Sequence, residues 1–494
     1  MIYNWNYEEP DAKVAEEAAE LAAAARIHPA LGRLLHERGM RTPAEVTQFF
    51  RPQLTTLHDP FLMNDMDKAV DRLNEAMGKK ERILVYGDYD VDGCTAVALV
   101  YKFLRQYYSH IDYYIPDRYD EGYGISHKSI EMAAESGVKL VIVLDCGIKA
   151  VEEIAYAKSL GVDFIICDHH VPDDVLPEAA AILNPKRHDN HYPYTELSGC
   201  GVGFKFMQAF ALNNGIEFNK LTSLLDLCAV SIASDIVPVM GENRILAYHG
   251  LRCLNSNPSI GLRAIVEVCG LTERELTMND IVFKIGPRIN ASGRMQNGKE
   301  AVELLVEKDY PVALEKAHHI NVYNAVQSCE ELLENFGGHT YAAGLTLKVE
   351  NVEEFSERFE AYVASHILEE QTKASIDIHA ILDFKDVNFR FYQQLKRFAP
   401  FGPMNEKPVF CTKKVYDYGT SKVVGRGQEH IKLELVDDKS NHVMNGIAFG
   451  QSSQARYIKT RQSFDICYTI EENTHKRGDI QLQIIDIRPR TAEK

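Results

Sequence analysis

The stretch ILVYGDYDVDG (83–93) starts as a continuous apolar run and ends in three aspartates. A run of Ile, Leu, Val and Tyr without alternation is typical of a strand that is buried on both faces. Asp88, Asp90 and Asp92 follow it at intervals of two, so in an extended backbone they face the same way. The stretch therefore predicts a group of carboxylates at the carboxyl end of a buried strand.

Four further apolar runs recur about every 25 residues after this stretch, with helix-like segments between them. They are DYYIP (112–116), LVIVLD (140–145), DFIICD (163–168) and AAILNP (180–185). Strands that alternate with amphipathic helices form βαβ units and a buried parallel sheet. Ligands of such sheets bind outside the carboxyl ends of the strands, where the acidic residues of this sequence lie.

Acidic residues also end two of these runs, at Asp145 and at the triplet Asp168-His169-His170, and Asp235 follows the apolar stretch AVSIAS (229–234). Any one of them could be a helix cap. Capping does not readily explain four such positions, one of which carries two histidines. Carboxylate oxygens with one imidazole suit Mn²⁺ or Mg²⁺ better than structural zinc. The set is large enough for two ions, which indicates phosphoester hydrolysis.

The composition limits the class of protein. With 494 residues, 45% hydrophobic and 25% charged, we expect a soluble globular chain of three or four domains. No apolar run reaches the roughly 18 residues of a spanning helix, and the start, MIYNWNYEEP, has no signal-peptide pattern. The ten cysteines are scattered without a CxxC pair. These features predict a cytoplasmic protein that does not enter the membrane.

The charge is distributed unevenly along the chain. The net charge is −17, which would argue against a nucleic-acid partner. From Ser375 onward, however, 19 Lys and Arg stand against 15 Asp and Glu. The mean charge is therefore a poor guide to what the C-terminal part binds.

Five short strands with turn signals follow the segment LKRFAPFGPMNEKPVF, which favours a small C-terminal barrel of the OB type. Its basic side chains are Lys413, Lys414, Lys422, Arg426 and Lys432, interleaved with Tyr416 and Tyr418. Such residues bind the phosphates and bases of single strands. Lysines on an edge strand also prevent aggregation, and we favour the binding interpretation because the barrel follows a candidate phosphoesterase.

GDYDVDG, LDCG, CDHH and ASDIVP, in this order, resemble the signature motifs of the DHH phosphoesterase superfamily. From about residue 50 to the end, the chain is similar to the RecJ family of that superfamily. The additional matching segments are PDRYDEGYG (116–124), GPRINASGRM (286–295), GGHTYAAG (337–344) and FAPFGPMNEKP (398–408). The resemblance implies an α/β fold with a parallel-sheet DHH domain, a DHHA1 domain and an OB-like barrel.

The resemblance also gives the expected domain boundaries. They are a helical N-terminal region (1–75), a DHH catalytic domain (76–265), connecting helices with a truncated DHHA1-like domain (266–372), and an OB-like nucleic-acid-binding domain (373–494). The middle domain departs from the family between AHHIN (317–321) and VYNAVQSCEELLENFGGH (322–339). The family's Trp-His-x-Gly and Gly-Ser-x-Arg stretches are missing there, so we expect a deletion in the DHHA1 domain.

The resemblance implies a ligand set for two ions, Mn²⁺ or Mg²⁺. Asp90 and Asp145 would hold one ion, and Asp145 would bridge to the second. The implied ligands of the second ion are Asp92, Asp145, His169 and Asp235. Asp88 matches the first aspartate of the motif and completes the candidate metal set.

The resemblance also implies roles around the metals. His170 would contact the scissile phosphate, and Asp168 would orient a histidine. Arg118 and Arg288 match positions near the substrate path, where the alternative is an ordinary ion pair. The implied substrate-side residues of the second domain are Gly337, Gly338 and His339.

The implied activity is metal-dependent 5′→3′ exonuclease digestion of single-stranded DNA in repair and recombination. The implied partners are single-stranded DNA, a helicase and a single-strand-binding protein. Two alternatives remain open from the sequence. One is a phosphodiesterase for oligonucleotides or cyclic dinucleotides, and the other is a catalytically impaired scaffold that binds nucleic acid.

Overall fold

The computed structural model describes most of the chain. The described residues are 3–117, 121–295, 298–319, 336–339, 342–345, 375–440, 442–473 and 478–490. Within them, the side chains of 291–295, 319, 336–339 and 342–345 are left out. The helix expected over 352–370 lies outside the described residues.

The chain separates into two compact units. One comprises Pro52–Glu350 and Pro400–Asn405, and the other comprises Met1–Arg51, Asn351–Ala399 and Glu406–Lys494, apart from the stretches left out above. Residues 1–51 therefore belong with the C-terminal part of the chain, whereas the sequence analysis placed 1–75 in a region of its own.

The larger unit is built on a five-stranded parallel sheet. Its strands are β2 (Arg82–Gly87), β3 (Ile111–Tyr114), β4 (Val138–Leu144), β5 (Asp163–Cys167) and β6 (Ala181–Leu183). Each expected apolar run forms one of these strands, and their order is β3-β2-β4-β5-β6. The parallel sheet predicted from the sequence is confirmed. The strand order reverses between β2 and β4, and ligands bind at such a switch point.

Two helix layers cover the sheet, which explains the unbroken apolar runs. Ile83 and Val85 pack into the core of the layer that holds α4 (Met66–Gly78) and α5 (Val91–Leu104). Leu84 and Tyr86 alternate with them and pack into the core of the opposite layer. The other helices of the first layer are α8 (Gly199–Asn213) and α10 (Leu225–Ser234), and those of the opposite layer are α6 (His127–Glu135) and α7 (Val151–Ser159).

The remaining elements of this unit follow the sheet in sequence. They are α9 (Phe218–Thr222), α11 (Gly241–Ser256), α12 (Ile260–Val268), α13 (Met278–Asp280), a π-helical turn (Ile281–Ile285), α14 (Gly286–Met295), α15 (Gly298–Val306), α16 (Tyr310–His319), and the hairpin strands β7 (Phe336–His339) and β8 (Ala342–Leu345). In the hairpin, Gly337 pairs with Gly344 and Gly338 pairs with Ala343.

The second unit contains a closed five-stranded barrel. Its strands are β11 (Phe410–Asp417), β13 (His430–Asp437), β14 (Val443–Ala448), β15 (Phe464–Glu472) and β16 (Ile480–Pro489), with β12 (Lys422–Val424) beside β13 and a short α18 (Ala455–Ile458) before β15. Around the barrel the order is β11-β13-β14-β16-β15 and back to β11, with a parallel β14–β16 pair. This is the Greek-key order of an OB barrel, as the sequence predicted.

The N-terminal segment is part of the barrel unit. Its elements are β1 (Asn4–Asn6), α1 (Ala12–Ala25), α2 (Pro29–Glu37) and α3 (Pro43–Phe50), joined by β9 (Ser375–Asp377), β10 (Ala380–Ile381) and α17 (Phe389–Lys396). Strand β1 pairs in parallel with β9, and Trp5 Nε1 donates to Asp486 Oδ2 at 2.9 Å. Thr42 caps α3 in a capping box with Glu45, as its Thr-Pro start predicts.

No helix within the described ranges combines the length and hydropathy needed to cross a bilayer.

A buried ion pair ties the segment before α4 to the helix layer. Lys205 Nζ of α8 lies 3.1 Å from Glu242 Oε1 of α11, and both side chains are at most 1% exposed. Lys205 also donates to the carbonyl of His58, while the His58 amide and the Tyr192 hydroxyl donate to Glu242. Removing one ion of such a pair leaves the other charge buried without compensation.

We predict that Lys205→Met lowers the stability of the protein by about 3–5 kcal/mol, since Glu242 then keeps an uncompensated buried charge. The measurement is chemical unfolding followed by circular dichroism. Lys158→Met is the matched control, because its partner Glu178 and Lys158 itself are exposed on the surface. The double variant Lys205→Met/Glu242→Gln should recover part of the loss. Equal midpoints for Lys205→Met and Lys158→Met would contradict the account.

Candidate metal centre

Asp145 and His169 lie at the ends of neighbouring strands, β4 and β5. The Asp145 amide donates to the carbonyl of Cys167 at 2.9 Å, so the sheet pairing continues one residue past β4. Asp145 itself has a φ of 61°, in the left-handed region that aspartate tolerates better than most residues. This turn directs the Asp145 carboxylate toward the His169 ring.

Three carboxylates converge on one ring nitrogen of His169. Its Nε2 lies 3.1 Å from Asp145 Oδ1, 3.6 Å from Asp235 Oδ2 and 3.8 Å from Asp92 Oδ2. Asp92, Asp145 and His169 are buried, and the Asp235 side chain is 27% exposed. The structure thus brings together the four residues expected to hold the second ion.

The Asp92 carboxylate is held by the amino terminus of α8. The amides of Gly199 and Cys200 donate to Asp92 Oδ2 and Oδ1 at 2.7 and 2.8 Å. Ser231 Oγ of α10 lies 2.7 Å from Asp92 Oδ1 and 2.6 Å from Ser198 Oγ. Because a helix amino terminus is partly positive, these hydrogen bonds hold the Asp92 carboxylate in place beside His169.

Asp235 ends α10 and approaches His169 from the other side. The next residue, Ile236, has a φ of 58°, which is rare for a β-branched residue. Such backbone strain persists where the surrounding structure requires it, commonly at functional sites. At this turn the left-handed conformation of Ile236 sets the direction in which the chain leaves the carboxylate cluster.

The carboxylates repel each other in the absence of a cation. Burial, followed by the negative charge of Asp92, raises the pKa of Asp235 to about 8. Burial and the charges of Asp92 and Asp90 raise the pKa of Asp145 well above its usual range, and burial raises that of Asp90. Burial also lowers the pKa of His169, which favours the neutral imidazole that binds metals. A divalent cation would relieve this repulsion.

The donor atoms fit such a cation. Among the described residues, Asp145 Oδ1 and both ring nitrogens of His169 are buried without a hydrogen-bond partner. Buried polar atoms are rarely left unsatisfied, so atoms of this kind indicate a ligand. Carboxylate oxygens with one imidazole match Mn²⁺ or Mg²⁺.

His170 points in a different direction from His169. Its Nδ1 lies 2.7 Å from Asp168 Oδ1, and its side chain is 45% exposed. The hydrogen bond to Asp168 raises the pKa of His170. Burial acts to raise the pKa of Asp168. Hydrogen bonds from His170 and from backbone amides, including that of Ile148, outweigh burial and lower this pKa. The pair therefore places a partly exposed imidazole, whose positively charged form is favoured, at the edge of the centre.

Asp88 and Asp90 differ from the expected arrangement. The stretch is not extended, because α5 begins at Val91. Asp90 is the N-cap of this helix, and its Oδ1 accepts a hydrogen bond from the Gly93 amide at 3.0 Å. Asp88 is buried at the end of β2. The extended backbone expected for the three aspartates is wrong, since a helix begins within the motif.

The other expected substrate-side residues lie on separate elements. Arg288 is in α14, and its guanidinium approaches the Cys269 thiol. Gly337, Gly338 and His339 form β7, the first strand of the hairpin. Arg118 lies outside the described residues.

The basic residues of the barrel lie on its outer surface. Lys413 and Lys414 are exposed at a β-bulge in β11, and Arg426 is exposed in the turn after β12. Lys422 of β12 is directly opposite Lys432 of β13. Like charges in this position destabilise a sheet unless an anion compensates them.

The sequence analysis missed the residues that hold the ligands in place. Ser198, the N-cap of α8, Gly199 and Ser231 have no charge or metal-ligand type that would mark them. The Ser-Gly pair at the start of α8 is the sequence signal that could have indicated Ser198 and Gly199, since serine is a common N-cap. A Cβ at Gly199 would lie 2.5 Å from Asp145 Oδ1, so only glycine fits beside the ligand.

We predict that Gly199→Ala weakens Mn²⁺ binding by about 10- to 100-fold, because the new methyl group displaces the Asp145 carboxylate. The measurement is titration calorimetry with Mn²⁺. Gly201→Ala is the matched control on the same helix, since its nearest neighbour, Ser198 Oγ, would be 3.3 Å away. Equal affinities of the two variants would contradict the assignment of Asp145 as a ligand.

Three family sequence models match the chain. The DHH family, N-terminal domain, matches residues 82–232, the DHHA1 domain matches 287–365, and the RecJ OB domain matches 378–486. The first contains the candidate metal ligands except Asp235, and the last contains the barrel strands as far as residue 486 of β16. Both therefore agree with the architecture described above.

Similar curated proteins extend along nearly the whole chain. The single-stranded-DNA-specific exonuclease RecJ of Bacillus subtilis (strain 168) is 28% identical over 97% of this chain and 70% of its own length. RecJ of Haemophilus influenzae is 27% identical over 93% of this chain and 95% of its own length. The B. subtilis alignment spans 561 positions, more than the 494 residues of this chain, so that relative has residues without a counterpart here.

Solved structures share the fold. The crystal structure of RecJ in complex with Mn²⁺ from Thermus thermophilus has a TM-score of 0.79 and 22% identity, covering 99% of this chain and 80% of that chain. A crystal structure of exonuclease RecJ bound to manganese has a TM-score of 0.53 and 25% identity, covering 63% and 97%. The three domain matches and the curated relatives together show that the chain contains DHH, DHHA1 and RecJ OB domains and is similar to RecJ along nearly its whole length.

Proposed function

We propose that this protein is a divalent-metal-dependent exonuclease that hydrolyses single-stranded DNA from its 5′ end. The observation that carries the proposal is the convergence of Asp92, Asp145 and Asp235 on His169 Nε2. The relatives described above are single-stranded-DNA-specific exonucleases, and similar structures are bound to manganese. The same T. thermophilus protein has also been solved in complex with Mg²⁺.

The chain's own residues provide the binding set. Asp92, Asp145, His169 and Asp235 would hold one ion, and Asp90 with Asp145 the other, with Asp88 beside them. Bound ions of this type supply the activation of water and the stabilisation of charge that phosphodiester hydrolysis requires. The amino terminus of α8 holds the Asp92 carboxylate in place, and burial lowers the pKa of His169, which favours the neutral imidazole that binds metals.

His170 is the proposed contact to the scissile phosphate. Asp168 binds its Nδ1 at 2.7 Å, so Nε2 is directed away from Asp168 and can donate to a phosphate oxygen. The hydrogen bond to Asp168 raises the pKa of His170 and so favours the positively charged form of the imidazole. A charged donor of this kind binds a phosphate oxygen more strongly than a neutral one.

The barrel offers a binding surface for a long single-stranded substrate. The opposed Lys422 and Lys432 and the exposed Lys413, Lys414 and Arg426 provide charge for successive phosphates. Tyr418 is 59% exposed and offers a ring on which a base can stack. A phosphodiesterase for dinucleotides does not need this surface, and a scaffold does not need the four converging ligands.

The proposed setting is DNA repair and recombination in the cytoplasm. An enzyme that acts on single strands depends on processes that unwind duplexes and on proteins that cover the product strand. A helicase and a single-strand-binding protein are therefore the proposed partners.

We predict Mn²⁺-dependent release of mononucleotides from the 5′ end of single-stranded DNA. Oligonucleotides labelled at either end, with a duplex as control, show the polarity and the strand preference. Asp145→Asn should reduce the activity to background, since asparagine keeps the left-handed backbone and removes the ligand charge. Asp173→Asn is the matched control, because Asp173 pairs with Lys149 on the surface.

Digestion limited to dinucleotides would instead favour the oligonucleotide phosphodiesterase. Binding of DNA and Mn²⁺ without any digestion would indicate a scaffold. Release from both ends at equal rates would contradict the proposed 5′ selectivity and indicate that the expected deletion removed the recognition of the strand end.

A further inference from the structure

An exposed tyrosine that the mechanism does not use lies beside the metal centre. Tyr123 is 58% exposed, although large aromatic side chains are usually buried. Its ring centroid lies 6.5 Å from that of His170 and 6.3 Å from that of Tyr89, and both pairs are nearly perpendicular. Tyr123 therefore borders the surface on which His170 would meet a phosphate.

Two glycines give the loop its shape around this side chain. Gly122 and Gly124 have φ values of +82° and +79°, which other residues rarely adopt. Open space surrounds both positions, so the glycines serve the backbone conformation and no close packing. The Tyr86 hydroxyl donates to the Gly124 carbonyl at 2.7 Å. The loop is thus bonded to the buried strand β2.

Glu121 holds the other side of the loop. Its Oε1 accepts from the Tyr114 hydroxyl at 2.6 Å and from the Asp117 amide at 3.1 Å. Its Oε2 accepts from Ser126 Oγ at 2.7 Å, next to the start of α6. An exposed aromatic side chain on a loop with this much internal bonding is held in a defined position.

The Tyr123 hydroxyl is a protonated donor. Burial, followed by the charges of Asp145 and Asp88, raises its pKa. Among the described residues, none accepts a hydrogen bond from it. The exposed ring beside His170 therefore carries a hydroxyl that is available to a substrate.

We propose that Tyr123 is a substrate-positioning residue whose hydroxyl donates a hydrogen bond to a non-bridging oxygen of the scissile phosphate. His170 and Tyr123 would then hold the phosphate from adjacent sides, while the carboxylates hold the ions. This inference rests on the proposed exonuclease function. It adds a second donor beside His170, from the matching segment PDRYDEGYG (116–124), in which the sequence analysis assigned a role only to Arg118.

The test compares Tyr123→Phe with the wild-type protein on long single-stranded DNA. The variant keeps the ring and loses only the donor, so kcat should fall by about 10- to 100-fold, the usual cost of a hydrogen bond to a charged group. KM should remain within about twofold, because the other phosphates still bind. Mn²⁺ affinity should be unchanged. Tyr156→Phe is the matched control, since the Tyr156 hydroxyl binds Glu131 on the surface.

A phosphorothioate at the scissile position tests the contact itself. If the hydroxyl binds one non-bridging oxygen, sulfur in that position and Tyr123→Phe remove the same interaction, so their effects on kcat are not additive. The sulfur effect of one diastereomer should therefore shrink in Tyr123→Phe. Equal sulfur effects in both proteins for both diastereomers would overturn the proposal.

The remaining outcomes are also distinct. A wild-type kcat in Tyr123→Phe would overturn the inference, and a defect confined to Tyr123→Leu would assign the ring, rather than the hydroxyl, to the substrate. An inactive wild-type protein would instead refute the proposed exonuclease function.

Discussion

The metal centre depends on one interaction, the capture of the Asp92 carboxylate by the amino terminus of α8. Asp92 belongs to the first turn of α5, so its hydrogen bonds to Gly199 and Cys200 join two helices that pack on the sheet. Ser231 adds α10 to the same carboxylate. Because Asp235 ends α10, this arrangement also sets the position of a further ligand. The helix layer and the ligand geometry are therefore parts of one structure.

The sheet supplies the other half of the centre. The order β3-β2-β4-β5-β6 places the carboxyl ends of β2 and β4 at the switch point, and β5 beside them. Burial, followed by the charge of Asp92, raises the pKa of Asp235, so the ionised carboxylates are unfavourable here without a cation. Left-handed backbone at Asp145 and Ile236 adds strain at the same place. The free energy of folding offsets the cost of holding these groups together, and a bound cation would stabilise the folded state further.

Much of this architecture can be predicted from the sequence, and the reasons are physical. Unbroken apolar runs such as ILVYG (83–87) are needed where helices cover both faces of a sheet, and turn signals separate the barrel strands. The meeting of the candidate ligands Asp145 and His169 could be predicted because the carboxyl ends of neighbouring buried strands lie at one edge of the sheet. The start of α5 at Val91 could not be predicted, since DVDG is compatible both with extended backbone and with the start of a helix. The pairing of Trp5 with Asp486 and the role of Ser231 depend on contacts distant in sequence, which no local pattern reports.

The most direct test of the account is the thermal unfolding of Asp92→Asn, measured in excess chelator and again with Mn²⁺. The amide directs hydrogen atoms toward the Gly199 or Cys200 amide, so one buried donor loses its acceptor at a cost of about 1–3 kcal/mol. We expect a lower midpoint than that of the wild-type protein in chelator, and a smaller upward shift when Mn²⁺ is added. A wild-type midpoint in chelator would contradict the claim that this carboxylate organises the helix layer and the metal centre together.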